Sequence, residues 1–247
     1  MRAAARPGRH LRWARLCRFI PTMTHEVPGA MKVVVVGAGE LDAADAALLE
    51  RSDLTIAADG GAESLERIGR RPDLLLGDLD SVRPELVELL ESNGTRVERH
   101  PIDKEASDTE LAVEAAFAAG ATEVTVLGAT GGPRLDHELA NLLLLSDPAF
   151  AGRDLSVVRG GARINALHGG SRLYLVGAPG DLVTLLPVAG DAEGVTTEGL
   201  RWPLEGSTIR MGRSRGLSNE VVAPNASVRV ERGTLLVVET AARGGSE

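Results

Sequence analysis

The sequence predicts an α/β region built on a parallel sheet over residues 31–160, followed by an antiparallel β-sandwich over residues 161–247. Three observations carry this expectation. From Met31 to about residue 160, short apolar runs and helical patterns alternate about six times, as in a parallel sheet with helices on both faces. After Gly160 helical spacing disappears, and short β-rich segments recur about every 8 to 12 residues between Gly, Pro, Asp and Asn, as in a small sandwich. The strands of the first region end in acidic or glycine-rich loops, the edge on which open α/β sheets bind ligands.

In chain order, Lys32 to Gly37 is a β-branched run that reads as a buried strand, and Leu41 to Arg51 reads as a helix. Leu54 to Ala58 is a second strand, ending at Asp59-Gly60-Gly61-Ala62, which opens a helix. Leu74 to Leu76 is a third, apolar without alternation and so expected to be buried on both faces. Pro84 to Ser92 is a helix with Pro in its first turn and Gly94 just beyond its end. Val97 to His100 and Glu123 to Leu127 read as strands, Ser107 to Ala119 and Leu135 to Leu145 as helices, and Leu155 to Val158 closes the series. The sandwich strands are expected at 164–167, 173–176, 182–186, 200–202, 207–211, 221–222, 228–230 and 235–238.

Composition narrows the function. At 247 residues and 43% hydrophobic the chain can bury a sizeable core, and no run approaches the roughly 20 apolar residues of a membrane span. A net charge of −8 and six aromatic residues argue against nucleic acid as a partner. Residues 1–30 hold six arginines and one acid, Glu26, which leaves +5 on this segment and −13 on the remainder. It is expected to be a disordered extension, or to reflect a true start at Met23 or Met31. A single cysteine, Cys17, excludes an internal disulfide and fits a reducing, cytoplasmic compartment.

Four loops carry the candidate chemistry. Gly77-Asp78-Leu79-Asp80-Ser81 sets two carboxylates two residues apart at a strand end. They suit Mg²⁺ held against a phosphate chain, or else form a polar turn with Ser81 as a helix cap. Asp59 and Gly60 belong to the same edge. Ser107 and Glu110 form a capping box, which leaves Lys104 and Asp108 as a phosphate cation and a further metal carboxylate. Gly128 to Gly132 can wrap amides around phosphates, with Arg134 to pair with them and His137 and Asn141 following. Gly37-Ala38-Gly39 lacks the third glycine of a dinucleotide fingerprint and is weak evidence for a nicotinamide site.

Together these motifs, in order and spacing, resemble the thiamine pyrophosphokinase family, as do Leu200-Arg201-Trp202-Pro203-Leu204 and Gly216-Leu217-Ser218-Asn219-Glu220. The resemblance covers about residues 31–241. It implies transfer of a diphosphate from ATP to the hydroxyl of thiamine, giving thiamine diphosphate and AMP, by a homodimer working with Mg²⁺. It implies Asp78, Asp80 and Asp108 as metal ligands, and Lys104 and Arg134 as phosphate cations. Asp136 or Asp78 would take the hydroxyl proton, and Asp59, Gly60, Ser81, Ser107 and His137 would contact ATP. Trp202, Ser218 and Asn219 would hold thiamine, Trp202 by stacking on the pyrimidine at a dimer interface. Three positions depart from the family pattern: Glu105 replaces Asp, Pro133 is an extra residue, and Leu217 replaces a hydroxyl residue. A pyrophosphokinase for another hydroxymethyl heterocycle, such as a pterin, and a non-catalytic nucleotide-binding module remain as alternatives.

Overall fold

The computed structural model describes residues 29–242, so the Arg-rich segment with Cys17 and Met23 lies outside the described residues up to residue 28. The first region contains six parallel strands: β1 (Lys32–Val36), β2 (Leu54–Ala58), β3 (Leu74–Gly77), β4 (Arg96–Arg99), β5 (Glu123–Leu127) and β6 (Asp154–Arg159). Their spatial order is β4-β3-β2-β1-β5-β6, so the winding reverses between β1 and β5. The intervening helices are α1 (Asp45–Glu50), α2 (Gly61–Arg67), α3 (Pro84–Ser92), α4 (Asp108–Ala118) and α5 (Leu135–Leu144).

Burial on both faces explains the unbroken apolar runs. Val33, Val35, Ile56 and Leu76 pack with Leu111, Ala112 and Ala116 of α4 on one face of the sheet. Val34, Val36, Ala57 and Leu75 pack with Leu65 of α2 and Leu86 and Leu90 of α3 on the other. With one core on each face, a polar residue in these strands would lose its water on either side.

β6 and β7 (Ala162–His168) form an antiparallel hairpin through Gly160 and Gly161, and hydrogen bonding continues through β13 (Arg232–Thr240) to β9 (Leu182–Glu198). The first half of β9 pairs with β13, and its last residues pair with β12 (Ser227–Val230), which also pairs with β8 (Ser171–Tyr174). Short β10 (Ser207–Ile209) and β11 (Asn219–Glu220) pair with β9 as well. The sandwich core, including Val183, Leu185, Val195, Ile209, Val228, Leu235 and Val237, lies between these layers.

Several element boundaries differ from expectation for local reasons. The strand expected to stop at Leu186 runs on to Glu198, through Pro187 and an irregularity around Ala189 (φ 61°) and Gly190 (φ 135°). That irregularity bends one strand from the first layer into the second, so Gly190-Asp191 is a bulge rather than a turn. Residues 200–202 and 221–222 form only a single bridge, Leu200 to Val221, in place of two strands. The first helix begins at Asp45 and not Leu41, because Asp42 Oδ1 accepts from the Ala44 amide at 2.7 Å and holds a turn there.

Candidate active site

The loops after β1, β2, β3 and β5 and the segment before α4 meet at the carboxyl edge of the sheet, around the point where the winding reverses. A cavity of about 340 Å³ opens there, lined by residues that include Asp59, Gly60, Ser81, Ser107, Asp108, Arg134 and His137. Seven residues expected to serve this site therefore share one cavity.

Backbone packing builds the floor of the cavity. The amide of Gly37 donates to the Leu127 carbonyl (2.9 Å) and that of Gly39 to the Gly128 carbonyl (2.8 Å), interlocking the β1 and β5 loops. A Cβ on Gly39 would stand 2.1 Å from the Thr130 oxygen. These glycines are explained by close backbone approach, which leaves a dinucleotide fingerprint without support. Glu138 accepts from the Gly131 amide (2.7 Å), and Asn141 donates to the Ala129 carbonyl (2.9 Å), tying the glycine loop to α5.

The acidic cluster follows from a strained turn. Gly77 has φ 147°, and a Cβ there would press within 3.0 Å of both Asp59 Cβ and Asp108 Oδ1, so glycine lets the two acids close over the end of β3. Leu79 (φ 64°) then folds the chain back, and Asp78 Oδ1 accepts from the Asp80 amide at 3.2 Å. Carboxylate oxygens of Asp59, Asp78 and Asp80 come within 4.8 Å of one another. Ser81 donates to Asp80 Oδ1 (2.9 Å). The helix that follows has Arg83 at its N-cap, with no side-chain bond, so Ser81 is not the cap that a plain polar turn would make it.

Asp108 stands beside this group, but Lys104 holds it. The Lys104 ammonium lies 2.9 Å from Asp108 Oδ1, in ion-pair contact outside good hydrogen-bond alignment, and 3.2 Å from Asp78 Oδ2. Burial pushes the Asp78 carboxyl up, but the Asp80 amide and Lys104 outweigh it and hold Asp78 below the ordinary carboxylate range. Burial likewise lowers Lys104, and its two carboxylates more than restore it. Asp59 goes the other way. Burial is the main cause, with repulsion from Asp108 and Asp80 adding to it, and together they raise its carboxyl against the opposing pull of the nearby Ser81 hydroxyl and Gly60 amide.

This arrangement fits a divalent cation. Among the described residues Asp59 Oδ1 is a buried acceptor with no hydrogen-bond partner, and Asp108 Oδ1 has only its ion-pair contact with Lys104, so a cation among these oxygens would relieve a costly state. An all-oxygen donor set of carboxylates matches Mg²⁺ better than a softer metal. The sequence reading grouped Asp78, Asp80 and Asp108 and left out Asp59, whose closeness depends on the glycine at position 77.

Asp136 is not brought into the cluster. It is exposed and bound by Arg134 through Nε to Oδ1 (2.9 Å) and Nη2 to Oδ2 (2.6 Å), and Arg134 pulls its carboxyl down to about 2. Ser107 caps α4 by accepting from the Glu110 amide at 3.1 Å. Trp202, Ser218 and Asn219 gather at the sandwich, away from these loops in sequence. Asn219 accepts from the Trp202 amide (3.1 Å) and donates to its carbonyl (2.7 Å), so it holds the tryptophan backbone. Trp202 is 57% exposed whereas Leu200 is 5% exposed, so the two do not enter the core together. The Arg201 guanidinium sits 5.7 Å from the Trp202 ring centre. Sequence reasoning did not single out Glu63, Arg67 or Glu138 in the wall, or Ser64 behind it, because their places depend on tertiary packing of α2 and α5.

Comparison with known proteins agrees with this geometry. The family model described as thiamin pyrophosphokinase, catalytic domain, matches residues 46–157, and that described as thiamin pyrophosphokinase, vitamin B1 binding domain, matches residues 174–235. Thiamine pyrophosphokinase 1 of Oryza sativa subsp. japonica is 27% identical over 214 residues, covering 77% of this chain and 79% of the relative. Thiamine pyrophosphokinase of Bacillus subtilis (strain 168) is 23% identical over 187 residues, covering 76% and 87%. The crystal structure of thiamin pyrophosphokinase from Geobacillus thermodenitrificans superposes with a TM-score of 0.72 at 26% identity, covering 87% of this chain and 99% of that one. With both family models matched in order along a fold of the same type, the chain belongs to the thiamin pyrophosphokinase family.

Proposed function

We propose that the chain makes thiamine diphosphate and AMP from thiamine and ATP, with Mg²⁺ held by Asp59, Asp78, Asp80 and Asp108. The observation that carries the metal assignment is the carboxylate cluster, with the buried and unpartnered Asp59 Oδ1, at the edge of a glycine-walled cavity. When bound there, Mg²⁺ supplies charge neutralisation to the phosphate chain. The chain's own residues then do the positioning. Lys104 stands among the carboxylates as a cation for the transferred phosphates, and Arg134 stands at the cavity wall. Gly60, Ser81, Ser107 and His137 complete the nucleotide side. Asp136, with its carboxyl near 2 and paired to Arg134, is a weak proton acceptor whose service is to orient Arg134, which leaves Asp78 as the proposed acceptor of the hydroxyl proton.

In this reading residues 31–160 bind nucleotide and metal, while 161–247 bind thiamine and dimerise. Exposed Trp202, with Ser218 and Asn219 next to it, supports a thiamine contact. Exposed Leu135, Leu139 and Leu143 on α5, with Tyr174 and Val176 on the sandwich, supply apolar surface for a homodimer. Among the described residues no helix is long and apolar enough to cross a membrane. The cytoplasm is proposed from the single cysteine. Measuring AMP release from ATP with thiamine and, separately, with a hydroxymethylpterin tests the substrate. Release with thiamine alone is expected, and release with the pterin alone would contradict the reading.

Trp202→Ala is expected to raise KM for thiamine about tenfold or more, with KM for ATP nearly unchanged. A ring 57% exposed contributes little to the core, so stability should move by about 0.5 kcal/mol or less. Paired kinetics and a denaturant melt check this. A strongly destabilised variant with unaltered thiamine affinity would return Trp202 to a packing role.

A further inference from the structure

The cavity wall holds one cation that the reading above does not use. Arg67 stands in the last turn of α2 and lines the cavity beside Asp59, Gly60 and Glu63. Its guanidinium donates to Ser64 Oγ at 2.8 Å, and Ser64, itself 1% exposed, donates to the Gly39 carbonyl at 3.0 Å. This relay fastens one edge of the guanidinium to the β1 loop, where the winding of the sheet reverses, and among the described residues leaves its other N–H groups uncommitted. Among the described residues no ion pair joins Arg67 to a carboxylate, whereas Asp136 holds Arg134 through its Nε and Nη2. The charge of Arg67 is nevertheless felt: Glu63, held below the ordinary range first by Arg83, is lowered further by Arg67.

A phosphate chain entering this cavity meets Asp59, Glu63, Asp108 and Glu138 on its walls. Divalent charge at the carboxylate cluster and one ammonium from Lys104 leave part of that repulsion uncompensated. The remaining requirement is a donor that is already oriented and not ion-paired to a carboxylate, and of the two guanidinium groups on the wall only Arg67 meets it among the described residues. We infer that Arg67 is a further substrate-binding residue, pairing through its free N–H groups with the phosphate chain of the nucleotide, while Ser64 fixes its orientation. The inference rests on the ATP-dependent reading given above and deepens it.

Titration of ATP and of adenosine into the wild type, Arg67→Met and Arg67→Lys in the presence of Mg²⁺, beside a denaturant melt of each, tests this. Arg67→Met is expected to weaken ATP binding about ten- to a hundredfold, the loss typical of a charge-assisted contact, and to leave adenosine binding and KM for thiamine unchanged. Arg67→Lys keeps the charge without the fork and should fall between the two. Were Arg67→Met to unfold, Arg67→Lys decides, with a severalfold loss for ATP alone as the supporting result. ATP affinity within about twofold of wild type, or equal losses for ATP and adenosine, would overturn the inference. A wild type that binds ATP and releases no AMP with thiamine would contradict the reading of the reaction, and the binding comparison would still decide the role of Arg67.

Discussion

Asp80→Asn is expected to lower Mg²⁺-dependent turnover by about a thousandfold or more while leaving the fold intact. Asp80 is exposed, and among the described residues its side chain accepts only from Ser81, so little structure depends on its charge. Its carboxylate lies within 4.8 Å of those of Asp59 and Asp78, so removing it takes a ligand from the cluster and relieves repulsion in the metal-free protein. Stability without metal should therefore hold or rise, and the upward shift in Tm that Mg²⁺ gives the wild type should shrink. Asp78→Asn should lose turnover to the same extent but cost some stability, because Asp78 is paired with Lys104. Its carboxyl lies below the ordinary range, so its stabilisation is present above the unfolded carboxylate pKa and fades as pH falls through the folded value. A fully active Asp80→Asn protein would sink the metal assignment.

Gly61→Ala is expected to have the largest effect on the fold, a loss of about 3 kcal/mol or more, or no soluble protein at all. A Cβ at this position would stand 1.9 Å from the Val36 carbonyl oxygen, an atom fixed in the central strand of the sheet. Relief would require moving the start of α2 or the end of β1, and both frame the cavity. Gly60→Ala makes the contrast: its Cβ would come no nearer than 3.0 Å to Ala38 Cβ, 3.5 Å to Ser81 Cβ and 3.8 Å to Ala38 Cα, so it should be the milder change. Equilibrium denaturation of the two variants separates them. Equal stability would show that α2 does not pack on β1 as described.

Much of this was legible in the chain itself. The apolar runs at Val33 to Val36 and Leu74 to Leu76 announced strands buried on both faces, and the structure gives each a core on either side. Pro84 marked the start of α3, and Ser107 the cap of α4. The acidic pair Asp78 and Asp80 was visible because it interrupts an apolar run abruptly. Asp59 as a member of the cluster was not, because its approach depends on φ 147° at Gly77, a torsion that sequence spacing does not encode. Arg67 was hidden for a similar reason: on an amphipathic helix an arginine reads as a solvated charge until the packing of α2 shows it beside Asp59. The long β9 was misread because Pro187 and Gly190 are turn signals locally, and only pairing with β13 and β12 shows them as a bend within one strand.

The most direct measurement is product analysis after wild-type protein is incubated with ATP, thiamine and Mg²⁺. Membership of the thiamin pyrophosphokinase family, with Mg²⁺ at the carboxylate cluster, predicts equal amounts of AMP and thiamine diphosphate, with neither formed when thiamine or the divalent cation is withheld. ADP with thiamine monophosphate would mean that a single phosphate is transferred, and it would contradict the account.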